Sequence, residues 1–303
     1  MSLEGKVAIV TGAGRGIGRA EALCLAAEGC RVVVNDAGTG VDGSGQSGLP
    51  AQDVVEAVAR SGGVAIANAG DVADWDESRK IFDEALDLWG RVDILVNNAG
   101  VLRDRMSFNM SEDDWDTVVR VHLKGHFVMA HHAVSHWRDQ AKAGNPGGRI
   151  VNTSSEAGLY GLAGQANYVA AKAGIAALTV TLAREANRYG VTANAIAPRA
   201  RTRMSEGILG DAIAPREGAP DPWDPAVVAP VVAWLCSDAA AHVNGQVFVV
   251  GGGCLALMRG WDAAGLVPME EPWLPDRIGR EVQGLFAASG TRADVNTPPA
   301  SPT

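Results

Sequence analysis

Seven short runs rich in Val, Ile, Ala and Leu punctuate the chain, at 6–10, 31–35, 64–68, 92–97, 149–153, 192–197 and 246–250. They are apolar at consecutive positions, as strands buried on both faces are, and the stretches between them carry apolar residues at helical spacing. Strands that alternate with helices in this way pair in parallel, with the connecting helices packed over the sheet. The expected fold class is therefore α/β: one doubly wound domain with a seven-stranded parallel sheet and helices on both faces. Helices are predicted near 17–28, 51–60, 75–89, 112–137, 164–189 and 226–237. Two stretches interrupt the pattern, a Gly/Ser-rich insertion at 38–48 and a Pro/Gly-rich one at 198–225, and both read as loops. The alternation defines one domain over residues 1–253. Residues 254–303 are expected to form an extension, partly irregular, frayed at its Pro-, Ser- and Thr-rich end, 297–303.

With 303 residues, 47% of them hydrophobic, the chain has ample material for a packed core. A net charge of -9 opposes tight binding to nucleic acid or to an anionic membrane, so neither is an expected partner. The stretch 226–236 is too short to cross a bilayer and is interrupted by Pro230, and the first residues lack the basic and apolar regions of a secretory signal. No membrane span and a cytoplasmic location are expected. The four cysteines have no metal-type spacing and read as free thiols. His131 and His132 are adjacent and point to different helix faces, so no metal is expected.

Thr11-Gly12-Ala13-Gly14-Arg15-Gly16-Ile17-Gly18 follows the first strand and opens a helix. Its glycines let the backbone approach a pyrophosphate at the positive helix end, although a tight turn without a ligand has the same look. Asp36 ends the second strand about twenty residues on, where a carboxylate can accept both adenosine ribose hydroxyls and repel a 2′-phosphate. NAD is therefore the expected cofactor. Arg15 is the opposing signal, because a guanidinium in the turn can pair with that phosphate. Asp71 and Val72 follow the third strand, and Asn98, Ala99 and Gly100 the fourth, at the carboxyl ends where open α/β sheets bind ligands. Asp71 can accept from an adenine amino group or cap the next helix, and the asparagines can line the cofactor or make turn bonds.

Tyr168 and Lys172 stand four residues apart on one face of a predicted helix, and Ser155 follows the fifth strand. A phenol is a weak acid at neutral pH, and a nearby ammonium favours its phenolate. Ser155 can donate a hydrogen bond to a substrate oxygen while a nicotinamide carbon gives or takes the hydride.

In their order, the turn from Thr11 to Gly18, Asp71, Asn97 to Gly100, Ser155, Tyr168 and Lys172 resemble the short-chain dehydrogenase/reductase family over about residues 4–253. The resemblance implies a parallel sheet flanked by helices, a catalytic Ser155, Tyr168 and Lys172, and a cofactor set that Tyr168, Lys172, Pro198 and Thr202 join. Many members carry a fourth catalytic residue, Asn, where Val121-His122-Leu123-Lys124-Gly125 places His122. That histidine either packs against its neighbours or continues a proton relay. A narrower resemblance, to the (3R)-hydroxyacyl-CoA dehydrogenase part of the type 2 peroxisomal multifunctional enzymes, rests on 33–36 with the insertion after it, 98–105, 113–116, the His122 stretch, 164–168 and 196–204. It implies a fatty or steroid-derived acyl-CoA substrate; relatives also oxidise hydroxysteroids. Arg199 departs from both patterns, since other members commonly have Gly directly after that Pro.

Arg199, Arg201 and Arg203, with Arg103 and Arg105 in a second loop at the same sheet edge, can bind CoA phosphates or stand solvated and salt-bridged. Met204, Ile208, Leu209 and Trp223 are candidates for an apolar substrate wall or for core. A homo-oligomer, dimer or tetramer, follows from the resemblance alone. Two competing readings remain: an NADPH-linked 3-oxoacyl reductase, which Arg15 permits and Asp36 opposes, and a non-catalytic dinucleotide-binding scaffold, which the intact Ser155, Tyr168 and Lys172 oppose.

Overall fold

The computed structural model describes residues 3–45, 47–215, 218, 220–268 and 275–289. The chain runs β1 (Val7–Thr11), α1 (Gly16–Ala27), β2 (Arg31–Asn35), α2 (Leu49–Arg60), β3 (Val64–Asn68), α3 (Trp75–Trp89), β4 (Ile94–Asn97), α4 (Glu112–Val119), α5 (Gly125–Lys142) and β5 (Gly148–Thr153). It continues with α6 (Glu156–Tyr160), α7 (Ala166–Ala186), β6 (Val191–Arg199), α8 (Arg203–Leu209), α9 (Ala229–Cys236), β7 (Val247–Gly251), β8 (Cys254–Met258) and α10 (Pro275–Ser289).

The sheet order is β3-β2-β1-β4-β5-β6-β7-β8. β1 pairs in parallel with both β2 and β4, so the chain winds outward to β3, returns across β1 and winds the other way. The reversal opens a crevice between the carboxyl ends of β1 and β4. β1 shows why the strands are apolar at every position: Ala8 and Val10 enter the core with α1, α2 and α9, while Val7 and Ile9 enter the core with α3, α5 and α7. Each face is a separate hydrophobic layer. Helix α7 is long and apolar enough to cross a membrane by length and composition, but Ala171, Ile175, Leu182 and Ala186 on it are buried in the protein.

Seven of the strands pair in parallel. The expected strand count is corrected to eight by β8, which follows β7 after only Gly252 and Gly253. A two-residue link serves antiparallel neighbours alone, so the sheet is mostly rather than wholly parallel. Gly251, Gly252 and Gly253 take φ of 97°, 59° and 85°, and this is what turns the chain back where the glycines read as the end of the pattern. The predicted continuous helix over 112–137 is also divided. A π-helical stretch, Arg120–Lys124, separates α4 from α5 and carries His122 into the interior. The chain divides into two units after Leu257, and the described part of the second contains α10. The terminal segment 297–303 lies outside the described residues.

Candidate functional site

A cleft of about 850 Å³ opens at the crevice between the carboxyl ends of β1 and β4. Of the residues expected to bind the cofactor or act in catalysis, all but Gly14 and Gly18 face it, including Asp36, Asp71, His122, Ser155, Tyr168 and Thr202.

The Gly-rich turn is built by close contact. Gly12 takes φ of 62°, and a Cβ on it would stand 2.7 Å from Ala99 Cα. A Cβ on Gly18 would lie 2.4 Å from both the Gly12 carbonyl and Asn98 Nδ2, and one on Gly14 2.7 Å from Asp36 Oδ2. Asn98 Nδ2 donates to the Thr11 and Gly12 carbonyls at 3.1 Å each, and Thr11 Oγ1 accepts from the Asn98 and Ala99 amides at 3.0 and 3.2 Å. Asn98 thus ties the turn to the end of β4. Helix α1 starts with no side-chain cap and no acidic residue in its first turn, leaving its leading N–H groups directed at the cleft. Backbone that close, with free amides at a positive helix end, fits a pyrophosphate.

Asp36 sits at the tip of β2, with Oδ2 accepting from the Gly14 amide at 2.8 Å and Oδ1 from the Gly38 amide at 2.7 Å. Its position past the turn suits an adenosine ribose. Arg15 Nη1 donates to the Thr39 carbonyl at 3.4 Å, across the insertion at 38–48, which lines the cleft through Thr39, Gly40, Val41 and Gly43. Asp71 ion-pairs with Arg120 and accepts from the Ala73 amide at 2.8 Å. It does not cap α3; Asp74 does, accepting from the Asp76 and Glu77 amides. Thr202 caps α8 in a reciprocal box with Ser205.

At the inner end, Tyr168 on α7 faces the cleft together with Ser155, the residue that caps α6. Lys172, one turn along, is buried; its Nζ donates to the Thr153 carbonyl at 2.6 Å and lies 5.5 Å from the Tyr168 ring centre. Ser154 Oγ donates to the Lys172 carbonyl at 2.8 Å, which anchors α7 to the end of β5. Burial pushes the Lys172 amine down to about 7 and raises the Tyr168 phenol, while the Ser155 hydrogen bond lowers it and Asp104 raises it. Desolvation dominates both groups, so each is shifted toward its neutral form.

His122 is buried with its ring edge-on to Tyr168 at 5.2 Å and 86°. Its Nε2 lies 2.8 Å from the Val101 carbonyl and 3.0 Å from the Val101 amide, so its tautomer decides whether it donates or accepts. Burial first, then Lys172, hold it neutral, and His126 beside it is pushed down to about 3 by the same causes. Gly100 makes this packing possible, because a Cβ there would stand 2.2 Å from His122 Cε1. Gly100→Ala must expel the ring, with an expected loss of about 2 kcal/mol, or about 4–8 °C in Tm, and of most turnover. Thermal denaturation checks this, and an unchanged Tm contradicts it.

Three of the five arginines expected to form a basic cluster are already paired: Arg103 with Asp113, Arg199 with Glu156 and Arg201 with Asp221. Among the described residues Arg105 and Arg203 make no ion pair, and of these two only Arg203 lines the cleft, beside Met204. Trp223 is instead packed near Gly252, and the side chains of Ile208 and Leu209 lie outside the described residues.

A neutral phenol, a buried amine and a hydroxyl on one wall, facing a Gly-rich turn across the crevice, can move a proton to or from an oxygen held between them. A family model described as short chain dehydrogenase matches residues 6–208. Hydroxyacyl-CoA dehydrogenase ChsB1 from Mycobacterium tuberculosis is 52% identical over 257 residues, 82% of this chain and 78% of that protein. Peroxisomal multifunctional enzyme type 2 from Mus musculus is 40% identical over 280 residues, 92% of this chain but 36% of that longer protein. The crystal structure of a short chain dehydrogenase from Mycobacterium avium superposes with a TM-score of 0.84 at 48% identity, covering 95% of this chain and 96% of that one.

Proposed function

The chain belongs to the short chain dehydrogenase family, and from that premise we propose that it is an NAD-dependent dehydrogenase of 3-hydroxyacyl-CoA thioesters in lipid or steroid breakdown. The observation that carries the reading is the arrangement of Ser155, Tyr168 and the buried Lys172 at the inner end of a cleft whose outer end carries Asp36 and an uncapped helix. The likeness to a hydroxyacyl-CoA dehydrogenase at 52% identity supports the substrate class.

NAD supplies the hydride acceptor. Gly12, Gly16 and Ile17 would hold its pyrophosphate on backbone amides, with Gly14 and Gly18 keeping the turn tight; Asp36 would hold its adenosine ribose, and Asn98, Ala99 and Gly100 border the path inward. Pro198 and Thr202 close the opposite side. Ser155 Oγ–H donates to the substrate oxygen, and the Tyr168 phenolate takes the hydroxyl proton as the C–H bond at the same carbon breaks. Lys172, held on the Thr153 carbonyl, stands where a positive charge steadies that phenolate. His122 keeps the Tyr168 ring at its angle.

The CoA portion is assigned to Arg203, which lines the cleft beside Met204 and has no carboxylate partner among the described residues; Arg15, also without one, belongs to the Gly-rich turn and donates to the Thr39 carbonyl. Arg203→Glu is expected to raise KM for a hydroxyacyl-CoA about tenfold or more while KM for NAD stays within about twofold, since a lost charge-assisted phosphate contact costs about 1.5–3 kcal/mol. Steady-state kinetics with the CoA ester, and with a short thioester lacking the nucleotide, check the assignment. Equal effects on the two thioesters would remove it.

A further inference from the structure

Arg199, the residue that departs from the family pattern, turns its side chain away from the cleft. Its Nε donates to Glu156 Oε2 at 2.6 Å and its Nη2 to Oε1 at 2.7 Å, in a two-pronged pair whose side chains keep 13% and 24% exposure. A guanidinium fork on a carboxylate fixes orientation as well as distance. The side chain is also packed: Nη1 reaches Cys254 Sγ at 3.3 Å, and a Cβ on Gly252 would stand 2.9 Å from its Cδ.

Glu156 opens α6, whose five residues cannot hold themselves as an isolated helix. Ser155 is the cap of that helix, its Oγ accepting from the Ala157 amide at 3.2 Å. On its other side α6 lies hard against α7. A Cβ on Gly158 would be 2.7 Å from Lys172 Cβ and from the Ala173 amide nitrogen. The short helix is thus held between α7 and the end of β6, and the attachment to β6 runs through the Arg199–Glu156 pair.

We propose that this ion pair is a clamp that positions Ser155: it anchors α6 to the end of β6 and so keeps the Ser155 hydroxyl aimed at Tyr168. Arg199 and Glu156 are positioning residues, since neither lines the cleft. Glycine after the proline would have no side chain with which to make this bond, so the departure at Arg199 belongs together with Glu156. The inference deepens the proposed function and rests on Ser155 acting in that reaction.

The test is a mutant cycle in the full-length protein, with kcat and KM measured for NAD and a (3R)-hydroxyacyl-CoA ester. Glu156→Gln keeps the shape and removes the charge. It is expected to lower kcat about tenfold, as a small misplacement of a reacting group does, with KM for NAD within about twofold. Ser155→Ala is expected to be slower still, and the double variant no slower than Ser155→Ala alone, because a mispositioned hydroxyl that is absent costs nothing more. The charge-swapped pair, Glu156→Arg with Arg199→Glu, is expected to recover most of the loss, and it carries the test if Glu156→Gln fails to fold. Wild-type kcat in Glu156→Gln, losses that multiply in the double variant, or a folded swap that recovers nothing overturns the clamp alone. Wild-type turnover in Ser155→Ala overturns the reading beneath it and the clamp with it.

Discussion

Tyr168→Phe is expected to lower kcat by about three orders of magnitude, within the range general acid–base groups supply, and to leave the affinity for NAD within about twofold. The substitution removes one oxygen and keeps the ring, so the edge-on packing with His122 at 5.2 Å survives and the fold has no cause to change. What is lost is the only proposed proton carrier that touches the substrate oxygen. The parent enzyme should also show a defined pH dependence. Burial raises the phenol above its ordinary value of 10, so at neutral pH it is protonated, ready to donate in ketone reduction. Alcohol oxidation needs the phenolate, whose fraction grows tenfold per pH unit below the pKa. Oxidation is therefore expected to rise with pH through the neutral and mildly alkaline range, and that rise should vanish in Tyr168→Phe. Steady-state rates in both directions, with NAD binding followed separately, check both parts. A variant with parent turnover, or a parent whose oxidation falls with pH, contradicts the role given to Tyr168.

Asp36→Ala is expected to reduce the preference for NAD over NADP by about a hundredfold or more, measured as the ratio of the two kcat/KM values. The carboxylate accepts from the Gly14 and Gly38 amides at 2.8 and 2.7 Å, so it is oriented by the same turn that is proposed to hold the pyrophosphate. A fixed negative charge there rewards two ribose hydroxyls and repels a phosphate. Alanine removes both effects, while Arg15 remains to meet the phosphate. The two amides also lose their acceptor, so Tm is expected to fall by several degrees, from about 1–3 kcal/mol per unsatisfied group. The ratio separates this general loss from recognition, since instability weakens both cofactors alike. An unchanged ratio would take cofactor choice away from Asp36, and a parent that prefers NADP would move the chain to the reductase reading.

Elements with a regular apolar pattern were the most legible ones. The runs 31–35 and 64–68 are strands at the expected bounds, and α3 runs from Trp75 to Trp89 as its spacing predicts. Where long-range packing decides, local spacing was silent. The π-helical stretch at Arg120–Lys124 has no proline or glycine inside it, and the burial of His122 that accompanies it depends on Val101 and Tyr168 from other elements. The hairpin into β8 was hidden because three successive glycines look like an ending and serve as a reversal. Short helices α6 and α8 were passed over because both hold through caps, Ser155 and Thr202, and through tertiary contacts.

The same holds for the site. Its residues were visible as a set because turn, strand ends and the Tyr168–Lys172 spacing all fall on one edge of the sheet. Their electrostatics were not, since desolvation of Tyr168 and Lys172 is a property of the folded environment. The arginines stayed open between phosphate binding and salt bridges for a related reason: Asp113, Asp221 and Glu156, which neutralise Arg103, Arg201 and Arg199, lie 10, 20 and 43 residues away along the chain.

The most direct measurement of the central claim is NADH formation by the purified protein with NAD and a panel setting (3R)-hydroxyacyl-CoA esters, fatty and steroid-derived, against free hydroxysteroids. The account predicts turnover of the CoA esters, lost in Tyr168→Phe and weakened in KM by Arg203→Glu. Turnover confined to free hydroxysteroids, or to NADP with 3-oxoacyl substrates, would contradict it.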